Sequence, residues 1–210
     1  MATSYTTLKA EIATWLARSG DSNITDNVDT FIDFAEAEFN RVLRVDEMIT
    51  EDTLSLSSGV STVARPADYL QAISAYNTTD PQSIEFTTTK QIRDRYSVSS
   101  TGKPSYFSEY ADDKFLFGPT PDGAYSVDLL YFQKIPALSD SQTTNWLLTA
   151  SPELYLYRSL YAARGFLQDD SGIATWKQIS DGIITDLQAA DNKDRFSGSS
   201  FQVRAQGRKP

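Results

Sequence analysis

The sequence predicts an α+β fold in which a bundle of about four helices, formed by the N- and C-terminal parts of the chain, carries an inserted antiparallel β-rich region and an extended C-terminal tail. Three observations predict it. Apolar residues recur at helical spacing near both ends, fall into short alternating runs from about residue 50 to residue 136, and lose helical periodicity after Asp191. The divisions that follow are residues 1–48, 49–140, 141–192 and 193–210.

Ser4 or Thr6 can cap a first helix whose Tyr5, Leu8, Ile12, Trp15 and Leu16 share one face, with Gly20 as its stop. A second helix is expected from near Thr25 to about Val45, because Val28, Phe31, Ile32, Ala35, Phe39, Val42 and Leu43 form a continuous stripe. It should be roughly 30 Å long. Asp33, Glu36 and Arg44 fall on its other side and read as a solvated face.

DTLSLSSGVSTVARP reads as two strands, Leu54 and Leu56 alternating in one and Val60 and Val63 in the other, about a Ser-Ser-Gly turn. LQAISAYN gives a third strand. TTTKQIRDRYS reads as a short helix capped by Thr88 or Thr89, and the segment from Lys103 to Pro136 gives three more strands separated by ADD and PTPDG turns. The loop ALSDSQTTNWLLTA leads to Ser151-Pro152-Glu153, a helix start with Pro where its missing N–H costs nothing. In PELYLYRSLYAARGFL apolar residues surround most of the axis, the mark of a central helix. A last helix follows Ser171 on Ile173, Trp176, Ile179, Ile183, Leu187 and Ala190.

The composition narrows the chemistry. The 210 residues include no cysteine and no histidine, which removes disulfides, Cys or His zinc sites, Cys nucleophiles and His-based acid–base schemes. No Gly-x-Gly-x-x-Gly or Gly-Lys-Ser/Thr phosphate loop is present, and ASPELYL is no nucleophile elbow. The acidic pairs Glu51-Asp52, Asp112-Asp113 and Asp169-Asp170 sit at expected turns or element ends, where Asp serves the backbone. Neither a cofactor nor an enzymatic activity is expected. With no long apolar run and no signal-like start, the expectation is a soluble protein made in a cytoplasm, without membrane contact.

Charge is divided unevenly. The chain carries −9 overall, yet residues 193–210 hold Lys193, Arg195, Arg204, Arg208 and Lys209 against Asp194 alone. The acidic body should repel nucleic acid at long range, and the tail should seek acidic surfaces. Arg41, Arg44, Arg93 and Arg95 read as partners for acids on neighbouring subunits or helix ends. Phe201, Val203 and Ala205 alternate with Gln202, Arg204 and Gln206, the period-two pattern of a strand. Tyr96, Tyr106, Phe107, Tyr110, Phe115, Phe117, Tyr125, Tyr131 and Phe132 crowd the β region. They read as cross-strand packing, with a glycan platform as the rival.

Read in order, LKAEIATWLARSG, FIDFAEAEFNRVLRV, ARPADYLQ and the stretch from GKPSYFSEY to GFLQDD resemble the head-to-tail adaptor, or connector, proteins of tailed phages, particularly short-tailed ones. The likeness spans nearly the whole chain. Its most distinctive parts are the helix ending at Leu43-Arg44 and the run Thr144-Asn145-Trp146-Leu147-Leu148 before the PELYLY helix. The resemblance implies a virion protein at the head–tail junction, in a ring of usually about twelve copies beneath the portal. DNA would pass through without sequence-specific binding, and a tail or nozzle protein would attach below. The C-terminal segment would dock on the portal through Phe196, Phe201, Val203, Arg204, Arg208 and Lys209. The alternative from another class is a glycan-binding or carboxylate-dependent glycan-cleaving tail component.

Overall fold

A computed structural model describes residues 2–97, 99–167 and 173–196. It is an α+β chain that divides into two compact units, residues 1–46 with 136–210 and residues 47–135. Among the described residues no helix is long and apolar enough to cross a membrane.

The first unit is helical. Helix α1 (Tyr5–Trp15) starts on a reciprocal cap, in which Ser4 Oγ accepts from the Thr7 N–H and the Thr7 side chain accepts from the Ser4 N–H. It ends before the expected Gly20. Ala17 takes the left-handed conformation at φ 54°, and the N–H groups of Leu16, Ala17 and Arg18 close back on Ile12, Thr14 and Ala13 carbonyls. The expected second helix forms as one helix, shorter at both ends than the span from Thr25 to Val45, and an unexpected single turn precedes it. Asp21 caps a single turn, α2 (Ser22–Thr25), and α3 (Val28–Val42) begins after Asn27.

Part of the loop before Ser151 is also helical. Asn145 accepts from the Leu148 N–H and opens α5 (Trp146–Ala150). Helix α6 (Pro152–Phe166) begins with Pro at its first turn, although Ser151 gives no side-chain cap. It is central, packing against α1, α3, α5 and α7 (Ile173–Phe196). Leu8, Ile12, Ile32, Phe39, Leu43, Leu147, Leu154, Tyr155 and Leu160 fill the space between these helices. A fully buried side chain such as Phe39 contributes about 1.5–3 kcal/mol over leaving it exposed.

Helix α7 runs beyond the expected limit of residue 192, so residues 193–196, read from the sequence as the start of an extended tail, continue the helix. Charge pairing explains the extra turn: the Arg195 guanidinium bridges Asp191, one turn back, and Asp46. Gln188 Nε2 also donates to the Val42 carbonyl, an orphan of the α3 C-terminus.

The second unit is a sheet in the order β1-β9-β3-β4-β6-β7-β2. The ranges are β1 Ile49–Leu56, β2 Thr62–Ala64, β3 Tyr69–Asn77, β4 Gln82–Phe86, β6 Tyr106–Tyr110, β7 Lys114–Gly118 and β9 Tyr125–Gln133; β5 (Thr101–Gly102) and β8 (Thr120–Pro121) form a separate short parallel pair. Helix α4 (Thr89–Arg95) takes its reciprocal cap from Thr88. Pairing is antiparallel throughout the large sheet except for β4 with β6.

The expected hairpin across Ser57–Gly59 does not form. β1 pairs along its length with β9, setting Leu54 opposite Val127, and β2 pairs with β7. The alternation of Leu54 and Leu56 was satisfied by a distant strand because β9 buries Val127, Leu129 and Tyr131 on the same face. Phe107, Phe115 and Phe117 join that core, with Tyr69 and Phe115 edge to face at 5.1 Å. Strand β4 carries only Ile84 as a buried apolar residue, too weak an alternation to show in sequence.

Candidate functional site

The segment most distinctive in the sequence, Thr144 to Leu148, sits in a buried polar network of the helical unit. Asn145 uses its whole amide: Oδ1 accepts from the Leu148 N–H at 2.8 Å, and Nδ2 donates to the Pro136 carbonyl at 2.8 Å and to the Tyr155 hydroxyl at 2.7 Å. Tyr155 in turn donates to Glu36 Oε1 at 3.1 Å, and the same oxygen accepts from the Leu138 N–H at 2.9 Å. The chain from 136 to 145 is thereby tied at two points to α3 and α6.

Burial shifts both titratable groups of this network upward. Burial, with the Glu36 charge beside it, pushes the Tyr155 hydroxyl far above the ordinary phenol range, so it remains a donor. Burial also raises the Glu36 carboxyl, against the opposing effect of the bonds from Leu138 and Tyr155. Glu36 is 5% exposed, which corrects its reading as a solvated residue. A signal was present: it lies four residues after Ile32 and three before Phe39, on the apolar stripe.

Arg158 is a second buried charge, missed in the sequence because the surrounding apolar pattern suggested no polar role. Its Nη2 donates to Asp181 at 2.6 Å, and Nη1 lies 3.3 Å from Glu38 without hydrogen-bond alignment. The bond from Lys177 chiefly, helped by Arg158, holds the Asp181 carboxyl below the usual range.

These groups are suited to holding helices in place, since they bond α3 to α6 and α6 to α7. No group of three or more metal-capable side chains occurs among the described residues. Asp112 and Asp113 occupy a left-handed turn, and Asp113 pairs with Arg65 at 2.8 Å. Asp52 bonds the neighbouring Thr53 N–H, while Asp169 and Asp170 lie outside the described residues. Of the crowded aromatics, Phe107, Phe115, Phe117, Tyr131 and Phe132 are buried. Arg95 lies 4.6 Å over the Tyr106 ring, and Arg93 donates to the Tyr110 hydroxyl at 2.8 Å. Within the chain these two arginines meet aromatic rings.

Of the residues expected to dock on a portal, Phe201, Val203, Arg204, Arg208 and Lys209 lie outside the described residues. Phe196 is the last residue of α7, and its side chain is likewise outside the description.

A family model for the SU10 adaptor protein matches residues 3–204. The chain belongs to the SU10 adaptor protein family. That is a family of phage adaptors, and the match takes in α3, the Asn145 network and α6 together. No curated protein matches the chain.

Proposed function

We propose that this chain is a structural head-to-tail adaptor of a phage virion, short-tailed in type, and not an enzyme. About twelve copies form a ring beneath the portal, extend the DNA channel and attach a tail or nozzle protein. The family match over residues 3–204 is the observation that carries this reading. The helical unit, with its four longer helices acting as a bundle, serves as the rigid part of each subunit. In support of DNA passage, each copy brings a formal −9, and an acidic lumen disfavours adhesive phosphate contacts.

In this reading the C-terminal segment docks on the portal. Phe196, Phe201 and Val203 supply apolar contact, and Arg204, Arg208 and Lys209 meet acids there. Ordering such a segment costs roughly 1–2 kcal/mol per residue in backbone entropy, so the contact must be broad. Electron microscopy of the purified chain, alone and mixed with its portal, tests the proposal: twelvefold rings support it, and a chain that forms no ring in either setting refutes it.

A further inference from the structure

Helix α6 is flanked by two open grooves of opposite charge character. One, of about 330 Å³ between α1 and α6, is lined by Trp15, Glu11 and Glu153 among apolar neighbours and contains no basic residue. The other, of about 440 Å³ between α3 and α6, is lined by Phe34, Arg41 and Arg158, with Glu38 as its acid. Each is bordered by a large aromatic left in water: Trp15 is 50% exposed and Phe34 60%. Such side chains in grooves mark interaction surfaces.

We propose that these grooves are the two halves of one subunit contact, in which the Trp15–Glu153 groove of one copy seats on the Phe34–Arg158 groove of the next. The proposal rests on the ring reading above and assigns its interface. Ring closure needs two different faces of each subunit in heterologous contact. Pro152, Glu153, Leu156 and Tyr157 of α6 line the first groove; Arg158, Tyr161 and Ala162 line the second. At about 100° per residue the two sets centre about 160° apart around α6. The faces are thus nearly opposed, as a chain of subunits requires.

The basic groove is also chemically incomplete. Arg158 is 1% exposed, yet its Nε and Nη1 reach no hydrogen-bond acceptor among the described residues. Those two atoms are closed off from the surface, so Arg158 stays with Glu38 and Asp181, and the cation of this groove that a partner's acid can reach is the exposed Arg41. Arg41 makes no ion pair among the described residues. The carboxylate of Glu153 is an acceptor of the right charge, and Trp15 in the same groove offers the apolar and cation–π surface that suits Arg41 and Phe34.

The full-length chain tests this by sedimentation velocity, with portal present if rings form only on it. Arg41→Glu should raise the concentration needed for half-assembly at least tenfold while leaving the circular dichroism spectrum unchanged. Adding Glu153→Arg to the same chain should recover assembly, because neighbours then meet with charges exchanged. The chain's lack of cysteine permits a second readout: Ala37→Cys with Glu153→Cys, treated with a short bis-maleimide, should give a ladder beyond dimer. Wild-type rings that persist unchanged in Arg41→Glu, or cross-linking that stops at dimer, overturn the contact and leave the ring intact. A wild-type chain that never forms rings overturns the ring reading itself.

Discussion

The Tyr155 hydroxyl on α6 reaches the Glu36 carboxylate on α3 at 3.1 Å, and both groups are buried. That bond joins two helices separated by more than 100 residues of sequence, including the whole β unit, so it belongs to the non-local part of the fold.

Removing it should be costly. Tyr155→Phe leaves Asn145 Nδ2 short of one acceptor and deprives Glu36 of a donor. A buried polar group left unsatisfied costs about 1–3 kcal/mol. Urea denaturation should show that loss, and an unchanged midpoint would exclude the network as a stabilising element.

The same carboxyl sets a pH dependence. Its folded-state pKa lies above the ordinary value, so the folded chain holds the proton more tightly than the unfolded one. The contribution of Glu36 is therefore fully present below the ordinary carboxylate pKa and is lost as pH rises through the folded-state value. Asp181 and Asp21, held low by Lys177 and Arg18 respectively, act in the opposite sense, contributing above the ordinary value and less as pH falls. Subtracting the stability profile of Glu36→Gln from that of wild type should leave a curve that falls with rising pH; a difference that rises would reverse the assignment.

Arg158→Ala should destabilise the helical unit by about 3 kcal/mol, because it empties a buried volume and unpairs two carboxylates. Asp181 keeps Lys177, which limits the electrostatic share. Arg158→Met restores the volume without the charge and should recover part of the loss. Thermal unfolding of the pair separates packing from pairing.

In the β unit, Gly118 is held to glycine by closeness. A Cβ there would stand 2.5 Å from Ile92 Cγ2 and 3.1 Å from Tyr96 Cδ2. Gly118→Ala should cost roughly 1–3 kcal/mol through overpacking of α4 on β7. Ile92→Ala in the same chain should make the added methyl less harmful, and a double-mutant cycle reads that coupling. Simple additivity would count against the clash.

Deleting residues 197–210 should leave the melting temperature of the helical unit unchanged, since α7 and its Arg195–Asp46 pair end before the cut. Attachment to portal should be lost. Co-sedimentation with portal measures it, and normal attachment by the truncated chain would remove the docking proposal.

Local patterns were legible in the sequence wherever the determinant was local. The caps at Ser4 and Thr88 and the Pro152 start each rest on side chains within a few residues of the element they open. The alternation of Leu54 and Leu56 likewise located β1, and the all-round apolar surface of α6 marked it as central. The missing turn of α2, the early stop at Ala17 and the short α5 were harder to see. Ala17, not a glycine, takes the left-handed position after α1, no glycine or proline separates α2 from α3, and α5 has only five residues, too few for a periodic stripe.

What the sequence determined by itself was the α+β class, the absence of cysteine and histidine chemistry, and the period of each main element. What only the tertiary structure decided was partnership. β1 chose β9 over the nearer β2, Glu36 left the solvated face for a buried bond to Tyr155, and Arg158 became a buried charge between Glu38 and Asp181. The physical reason is common to all three: burial and pairing are set by which surfaces meet across the chain, and residue spacing records only the face each element presents.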